Sequence, residues 1–364
     1  MASFEKSLKR FLLRLAALFR PSGFFTPQEI PIESFKKILV IRQHDQLGDL
    51  LITTPALHAL RKKFPYAFIA VVVREYTAPV MLNNPNVDEV IIFYEKLKRW
   101  NISRLVHFWR RLRSSGGFDC TIVLNTISRS TSSDVIALLS KAKYIVGPDH
   151  LPKEKNDSEL IYTVLSHRSE KLQTEIEHNL DIVSVLGAAP DGFEYDLAVT
   201  NRERIEAENI FLAMAVPKGK KVIGVHFGTL DTTRRFPLEK LAELINWMKE
   251  KYSAEIILII GPNETESREY LLSLLRYPVI SAPIMKLRVA AAFMKHLNVF
   301  LCNDTGTLHI ASAMRVPTVS FHSLNDPAVW KPPHPRHIAV RAEDHRITSI
   351  TVAMAQEAVK KQLG

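Results

Sequence analysis

A chain of 364 residues, 46% hydrophobic and 24% charged, has the balance of a soluble globular protein with material for two domains, which excludes a disordered polypeptide. The formal charge of +10 asks for an anionic partner: nucleic acid, acidic lipid or a phosphorylated sugar. The two cysteines, Cys120 and Cys302, sit in apolar runs and suggest neither a disulfide framework nor a zinc site, and no stretch reaches the roughly 18 apolar residues of a membrane span.

Residues 1–20 set Phe4, Leu8, Phe11, Leu12, Leu15, Leu18 and Phe19 at helical spacing among Lys6, Lys9, Arg10, Arg14 and Arg20. A secretory signal keeps its charges ahead of the apolar stretch, whereas here arginine interrupts it. The segment reads as a basic amphipathic helix for an anionic bilayer surface, or as a helix docked on the protein's own body, with residues 1–34 comprising helix and tether. Lys37–Arg42 is a continuous apolar run and predicts a buried parallel strand. A turn over Gln43–Asp49 leads to a helix from about Leu50 to Lys63, with Pro55 in its first turn or at a kink. Strands are predicted at 68–73, 89–93, 120–124 and 144–147, with helices around 77–83, 100–114 and 175–186. That alternation is the pattern of a doubly wound parallel sheet, whose ligands lie at the carboxyl ends of the strands.

Around residues 190–220 the pattern restarts. Strands are predicted at 222–226, 255–260, 299–302 and 318–321, and helices at 238–252, 266–275, 287–296 and 347–362. The expected α/β architecture is two Rossmann-like domains, 35–205 and 206–345, facing a central cleft, with the last segment, 346–364, packing back at their junction. The most informative stretch runs from Asn298 through Asp304-Thr-Gly-Thr-Leu-His309 to Pro317. Strand, polar turn and helix in succession present backbone N–H groups at a helix N-terminus, where phosphate can sit. Gly306 would let a ligand approach the backbone, and Thr305 and His309 fall about one helical turn apart. The alternative is that Asp304 only caps the helix and His309 is a surface histidine.

Three elements in fixed order, Leu47-Gly-Asp49 with Thr54-Pro55-Ala-Leu57, then Arg234-Arg-Phe-Pro237, then Asp304-Thr-Gly-x-x-His309, resemble the lipopolysaccharide heptosyltransferases of glycosyltransferase family 9. The likeness spans about Lys37 to Lys331, and the last element is its most specific part. The resemblance implies a two-domain GT-B fold and an inverting, metal-independent transfer without a cofactor, ADP-heptose being a substrate. The donor would be held mainly by the C-terminal half and a lipopolysaccharide inner-core acceptor by the N-terminal half. Asp49 matches the aspartate to which the family assigns the base, although it could instead cap the helix that follows. The family commonly has lysine where this chain has Arg234 and tryptophan where Phe236 stands. Glu264 or Glu266 lies where the family places a carboxylate on the nucleotide ribose.

The chemistry suits these residue types. An inverting transfer needs one base to take the proton of the attacking hydroxyl. The leaving diphosphate gains charge as its bond breaks and needs fixed donors, which Thr305, Gly306 and Thr307 would supply together with the guanidinium of Arg234. Arg234 and Arg235 could equally be a solvated face. Asp304 would orient the turn or accept from a heptose hydroxyl, and His309 would donate to a phosphate oxygen. The basic segment from Lys96 to Arg113, with Arg99, Arg104, Arg110 and Arg111, is either a solvated face or a platform for acceptor anions and lipid headgroups. The expectation is a heptosyltransferase peripheral on the cytoplasmic face of an inner membrane. Its rivals are a transferase of the same fold using another nucleotide sugar and a non-catalytic nucleotide-binding protein at a membrane. No helix-turn-helix, zinc or aromatic RNA-binding signature points to nucleic acid.

Overall fold

A computed structural model describes residues 14–15, 17–18, 20–44, 46–113, 116–152 and 158–364. Most of the amphipathic segment expected at residues 1–20, and Asp45 of the first turn, lie outside the described residues. The chain divides into two units, Met1–Ala198 and Val199–Gly364.

In the first unit, β1 (Lys37–Ile41) is followed by α1 (Leu47–Ile52), α2 (Thr54–Lys63), β2 (Phe68–Arg74), α3 (Ala78–Met81), β3 (Glu89–Phe93) and α4 (Ile102–Leu112). Then come β4 (Cys120–Val123), α5 (Thr131–Leu139), β5 (Tyr144–Pro148), β6 (Val164–Ser166) and α6 (Glu175–Ser184). The strands form one sheet in the order β3-β2-β1-β4-β5-β6. Ile38, Leu39, Val40 and Ile41 are fully buried, as a strand covered by helices on both faces must be.

The second unit opens with α7 (Asn201–Ala213) and continues with β7 (Val222–His226), α8 (Leu238–Tyr252), β8 (Glu255–Leu258), α9 (Thr265–Ser273), β9 (Ile280–Ser281) and α10 (Leu287–Met294). It closes with β10 (Val299–Asn303), α11 (Gly306–Ala313), β11 (Thr318–His322), α12 (Pro327–Trp330), β12 (His337–Arg341) and α13 (Val352–Leu363). Its sheet, β12-β11-β10-β7-β8-β9, repeats the order of the first. The last helix lies on α8, β11 and β12 of its own unit.

Every pairing in both sheets is parallel. The order reverses beside β1 in one unit and beside β7 in the other, and a crevice for ligands opens at such points. At the opposite rim the units share a device. Asp119, just before β4, accepts the amide of Lys37 at 2.8 Å, and Asn298, just before β10, accepts that of Val222 at 2.7 Å. Each fastens the first strand of its sheet to the fourth.

One predicted helix is two. The segment expected from Leu50 begins at Leu47 and is interrupted at Thr53, because Pro55 has no amide to continue the ladder. The hydroxyls of Thr53 and Thr54 donate instead to the carbonyls of Leu50 and Leu51, at 2.6 and 2.7 Å. The final helix likewise starts later than predicted, after a separate 3-10 turn over Ile347–Ser349. Both cysteines are buried and unlinked.

Candidate active site

Asn303, the last residue of β10, organises the second unit's carboxyl rim. Its side chain is 2% exposed; its amide nitrogen donates to the carbonyl of Phe227 at 2.9 Å and its oxygen accepts the amide of Phe236 at 2.9 Å. One buried side chain thus fastens both ends of the loop between β7 and α8. Phe236 is locked further by stacking on Phe321, ring centroids 4.1 Å apart and planes 14° from parallel. Within this loop Asp231 caps a 3-10 turn, Thr232–Arg234, accepting the amide of Thr233 at 3.0 Å.

Arg234 leaves that turn and donates from Nη2 to Oδ2 of Asp304 at 2.8 Å. The same oxygen accepts from Nδ2 of Asn325 at 2.8 Å. Asp304 therefore neither caps α11, whose N-cap is Thr305, nor stands as a separate polar turn residue; it is an 8% exposed carboxylate engaged by a guanidinium and an amide. The contact also removes Arg234 from the solvated face that arginine pairs usually form, while leaving its side chain 30% exposed. Arg235 points elsewhere, donating to Ser267 at 2.9 Å. Thr305 and Thr307, both half-buried, bring their hydroxyls to 2.9 Å of each other where α11 opens at Gly306. The first amides of a helix lack intrahelical partners, so hydroxyls, amides and guanidinium together form a site suited to an anion.

His309 is 4% exposed, and burial lowers its pKa to about 4, with Asp304 pulling the other way. It is thus a neutral imidazole inside α11, not the surface histidine of the alternative reading, and it adds no positive charge to the site. His322 is fully buried, bonded through Nε2 to Ser320 at 2.8 Å, and burial lowers its pKa also to about 4.

The two carboxylates left open by the sequence are separated by the structure. Glu266 is exposed in the first turn of α9. Glu264 turns inward: Oε2 accepts the Gly261 amide at 2.8 Å and lies 3.7 Å from Nδ1 of His226, and the carboxylate covers Gly228. A Cβ on residue 228 would fall 1.5 Å from Oε1 of Glu264, so only glycine fits beneath it. Gly228 and Asn325 were not singled out from the sequence, and Asn303, expected as the first residue of the polar turn, is the last residue of β10. The signals available were a glycine two residues beyond a predicted strand and an asparagine beside the Asp-Thr-Gly turn.

In the first unit Asp49 is the third residue of α1 rather than part of the preceding turn, since the helix starts at Leu47. Its Oδ2 accepts the Gln46 amide at 2.9 Å, so it does serve the helix start, and it remains half-buried at the carboxyl end of β1. Beside it Gln43 donates to the hydroxyls of Ser130, Ser132 and Ser133 at 3.0, 2.7 and 3.1 Å, tying the end of β1 to the start of α5.

Four arginines of the basic segment, Arg99, Arg104, Arg110 and Arg111, differ among themselves. Arg99 forks onto Glu75 and Arg111 pairs with Glu89 at 2.8 Å, so both are neutralised locally. Arg104 lies 4.5 Å over the Tyr94 ring, and Arg110 is exposed. Among the described residues no cluster of three or more His, Cys, Asp or Glu side chains could hold a metal ion, and no helix is long and apolar enough to cross a membrane.

Comparison with known proteins bears on the fold and the family. The chain is 21% identical over 319 residues to lipopolysaccharide heptosyltransferase 3 of Escherichia coli, covering 82% of this chain and 87% of that protein. Its fold matches a glycosyl transferase family 9 structure from Veillonella parvula with a TM-score of 0.78 at 21% identity, over 90% of this chain and 97% of that one. It also matches E. coli heptosyltransferase WaaC solved with ADP, with a TM-score of 0.70 at 20% identity, over 90% and 99% of the two chains. These likenesses identify the fold as GT-B. The model of glycosyltransferase family 9 (heptosyltransferase) matches residues 105–358, well over half of the sequence, and the chain therefore belongs to that family of transferases.

Proposed function

We propose that this transferase moves heptose from ADP-heptose to a lipopolysaccharide inner-core acceptor, with inversion and without a metal ion. The observation that carries the reading is Arg234, anchored on Asp304 at the opening of α11. The donor diphosphate would meet that guanidinium, the Thr305 and Thr307 hydroxyls and the amides of Gly306 and Thr307, donors already in place as the glycosidic bond breaks. A guanidinium can engage two phosphate oxygens at once, which suits arginine in place of the lysine common in the family. Glu264, held above Gly228, would accept from the ribose hydroxyls, and His309, as a neutral ring, would offer one N–H to a phosphate oxygen. Adenosine as the nucleoside is supported by the related E. coli enzyme solved with ADP.

Asp49 is the base in this reading. One oxygen holds the start of its helix, which fixes the carboxylate's direction, and the other would take the acceptor proton as the hydroxyl oxygen attacks the anomeric carbon. Peripheral attachment to the cytoplasmic face of the inner membrane is supported by α4, which exposes Ile102 (83%), Leu105 (47%) and Val106 (40%) beside Arg110 and Arg113.

Asp49→Ala tests the assignment. It should abolish transfer from ADP-heptose while ADP affinity, measured by calorimetry, stays within about twofold of the parent, since a base lost from the acceptor side leaves donor contacts intact. Parent-like turnover would remove Asp49 as base. A parent that binds UDP or GDP in preference to ADP would reassign the donor.

A further inference from the structure

We propose that Asn325 is a positioning residue for the transfer, acting through Asp304 to aim Arg234, and that Asp304 is the anchor of this device and not a contact for a sugar hydroxyl. The proposal rests on the reading of Arg234 as the group that meets the diphosphate.

The geometry carries it. Oδ2 of Asp304 accepts from both Nη2 of Arg234 and Nδ2 of Asn325 at 2.8 Å, within a side chain only 8% exposed. A carboxylate engaged in this way has little exposed surface left for an incoming hydroxyl. A carboxylate oxygen can only accept, so the Asn325 amide must present its nitrogen, and its orientation follows. Arg234 carries five N–H donors on a long stem, and ordering such a side chain costs rotamer entropy. Its bond to Asp304 uses one donor, sets the plane of the guanidinium and leaves the remaining edge for a ligand.

Asn325 suits the second place on Asp304 because it is neutral. A lysine or arginine there would compete with Arg234 for the same negative charge, whereas an amide fixes the carboxylate's rotamer and leaves that charge to Arg234. His322, 3.9 Å from the other carboxylate oxygen, is held neutral by burial and does not compete either. The backbone around Asn325 is constrained on both sides. Three residues before it β11 ends at the buried His322, and directly after it Asp326 caps α12, accepting the Ala328 amide at 2.9 Å.

The test is a double-mutant cycle on the full-length protein, with kcat and KM for ADP-heptose and titrations of ADP and inorganic pyrophosphate. Asn325→Ala should lower kcat by about tenfold, the scale of one lost hydrogen bond to a charged group, with acceptor KM and thermal midpoint near those of the parent. On an Arg234→Ala background the same change should cost nothing further, because the residue it aims is gone. Asn325→Asp keeps the shape but replaces the donor with a second carboxylate that can only accept, so it repels Asp304 and should do at least as much damage as alanine. Losses that multiply in the double variant, or a parent-like Asn325→Asp, would overturn the proposal. If the parent ignores ADP-heptose but binds pyrophosphate, weaker pyrophosphate binding by Asn325→Ala supports the anchor while the donor assignment fails. A parent that binds neither anion overturns both.

Discussion

Replacing Gly228 by alanine places one methyl group where the structure has a carboxylate. The new Cβ would lie 1.5 Å from Oε1, 2.3 Å from Cδ and 2.8 Å from Oε2 of Glu264. Three such contacts cannot be absorbed in place, so Glu264 must swing away and give up its 2.8 Å bond from the Gly261 amide. Glu264 ends a flexible side chain that is 21% exposed, and the backbone at 228 is one that alanine adopts, so the fold itself should persist. If Glu264 accepts from the ribose as proposed, its displacement removes that contact, and a charge-assisted hydrogen bond is worth about 1.5–3 kcal/mol, or roughly 10- to 100-fold in affinity. Calorimetric titration of ADP should therefore show a loss of that size in Gly228→Ala, and a similar loss in Glu264→Ala. The double variant should be no worse than either alone, because both remove one contact. An alanine variant that binds ADP as the parent does would refute the assignment of Glu264 to the nucleotide.

Further expectations concern charge and stability. Arg234→Ala should cost on the order of 2–4 kcal/mol in transition-state stabilisation, seen in kcat/KM with ADP-heptose; a parent-like donor profile would count against the diphosphate contact. Glu203 holds the buried Arg288 through two bonds of 2.7 and 2.9 Å and also serves the start of α7 with Thr200. Glu203→Ala should destabilise the second unit by about 3 kcal/mol, roughly 6–12 °C in its melting midpoint. A midpoint within a degree of the parent would contradict that. Burial lowers the pKa of His309 and His322 to about 4 and of His337 to about 3, against 6.5 in the unfolded chain. Above pH 6.5 the rings are neutral in both states and make no difference to stability. As the pH falls from 6.5 towards 4 the unfolded chain takes up protons that the folded one refuses, so stability drops by up to about 1.4 kcal/mol per pH unit for each ring. Urea melts that stay flat from pH 6.5 to 4.5 would disprove this.

The strands were legible because each unit buries its central ones on both faces. Lys37–Ile41, Val222–His226 and Val299–Asn303 are runs that few other structures tolerate. The Asp-Thr-Gly turn was legible because strand, turn and helix are contiguous. Helix α7 was not: of its thirteen residues only Ala207 is buried, so it has no apolar stripe to detect. Its one readable mark was the capping box of Thr200 and Glu203. Thr53, where one predicted helix breaks in two, was legible only as a proline nearby. The site's supports were the hardest to foresee, since Asn303 joins residues 76 and 67 positions away and Asp304 meets Arg234 at a separation of 70. Such pairings follow from which strands lie side by side, and no local pattern announces them.

The matched fasteners of Asp119 and Asn298 sit at the rim opposite the candidate chemistry, since all strands of a sheet run the same way. Each unit thus has an edge that carries its candidate site residues and an opposite edge that holds strands in register. Affinity tags, fluorophores or surface anchors attached along the second edge, clear of those two side chains, should leave catalysis untouched, which makes it the natural handle for immobilising the protein.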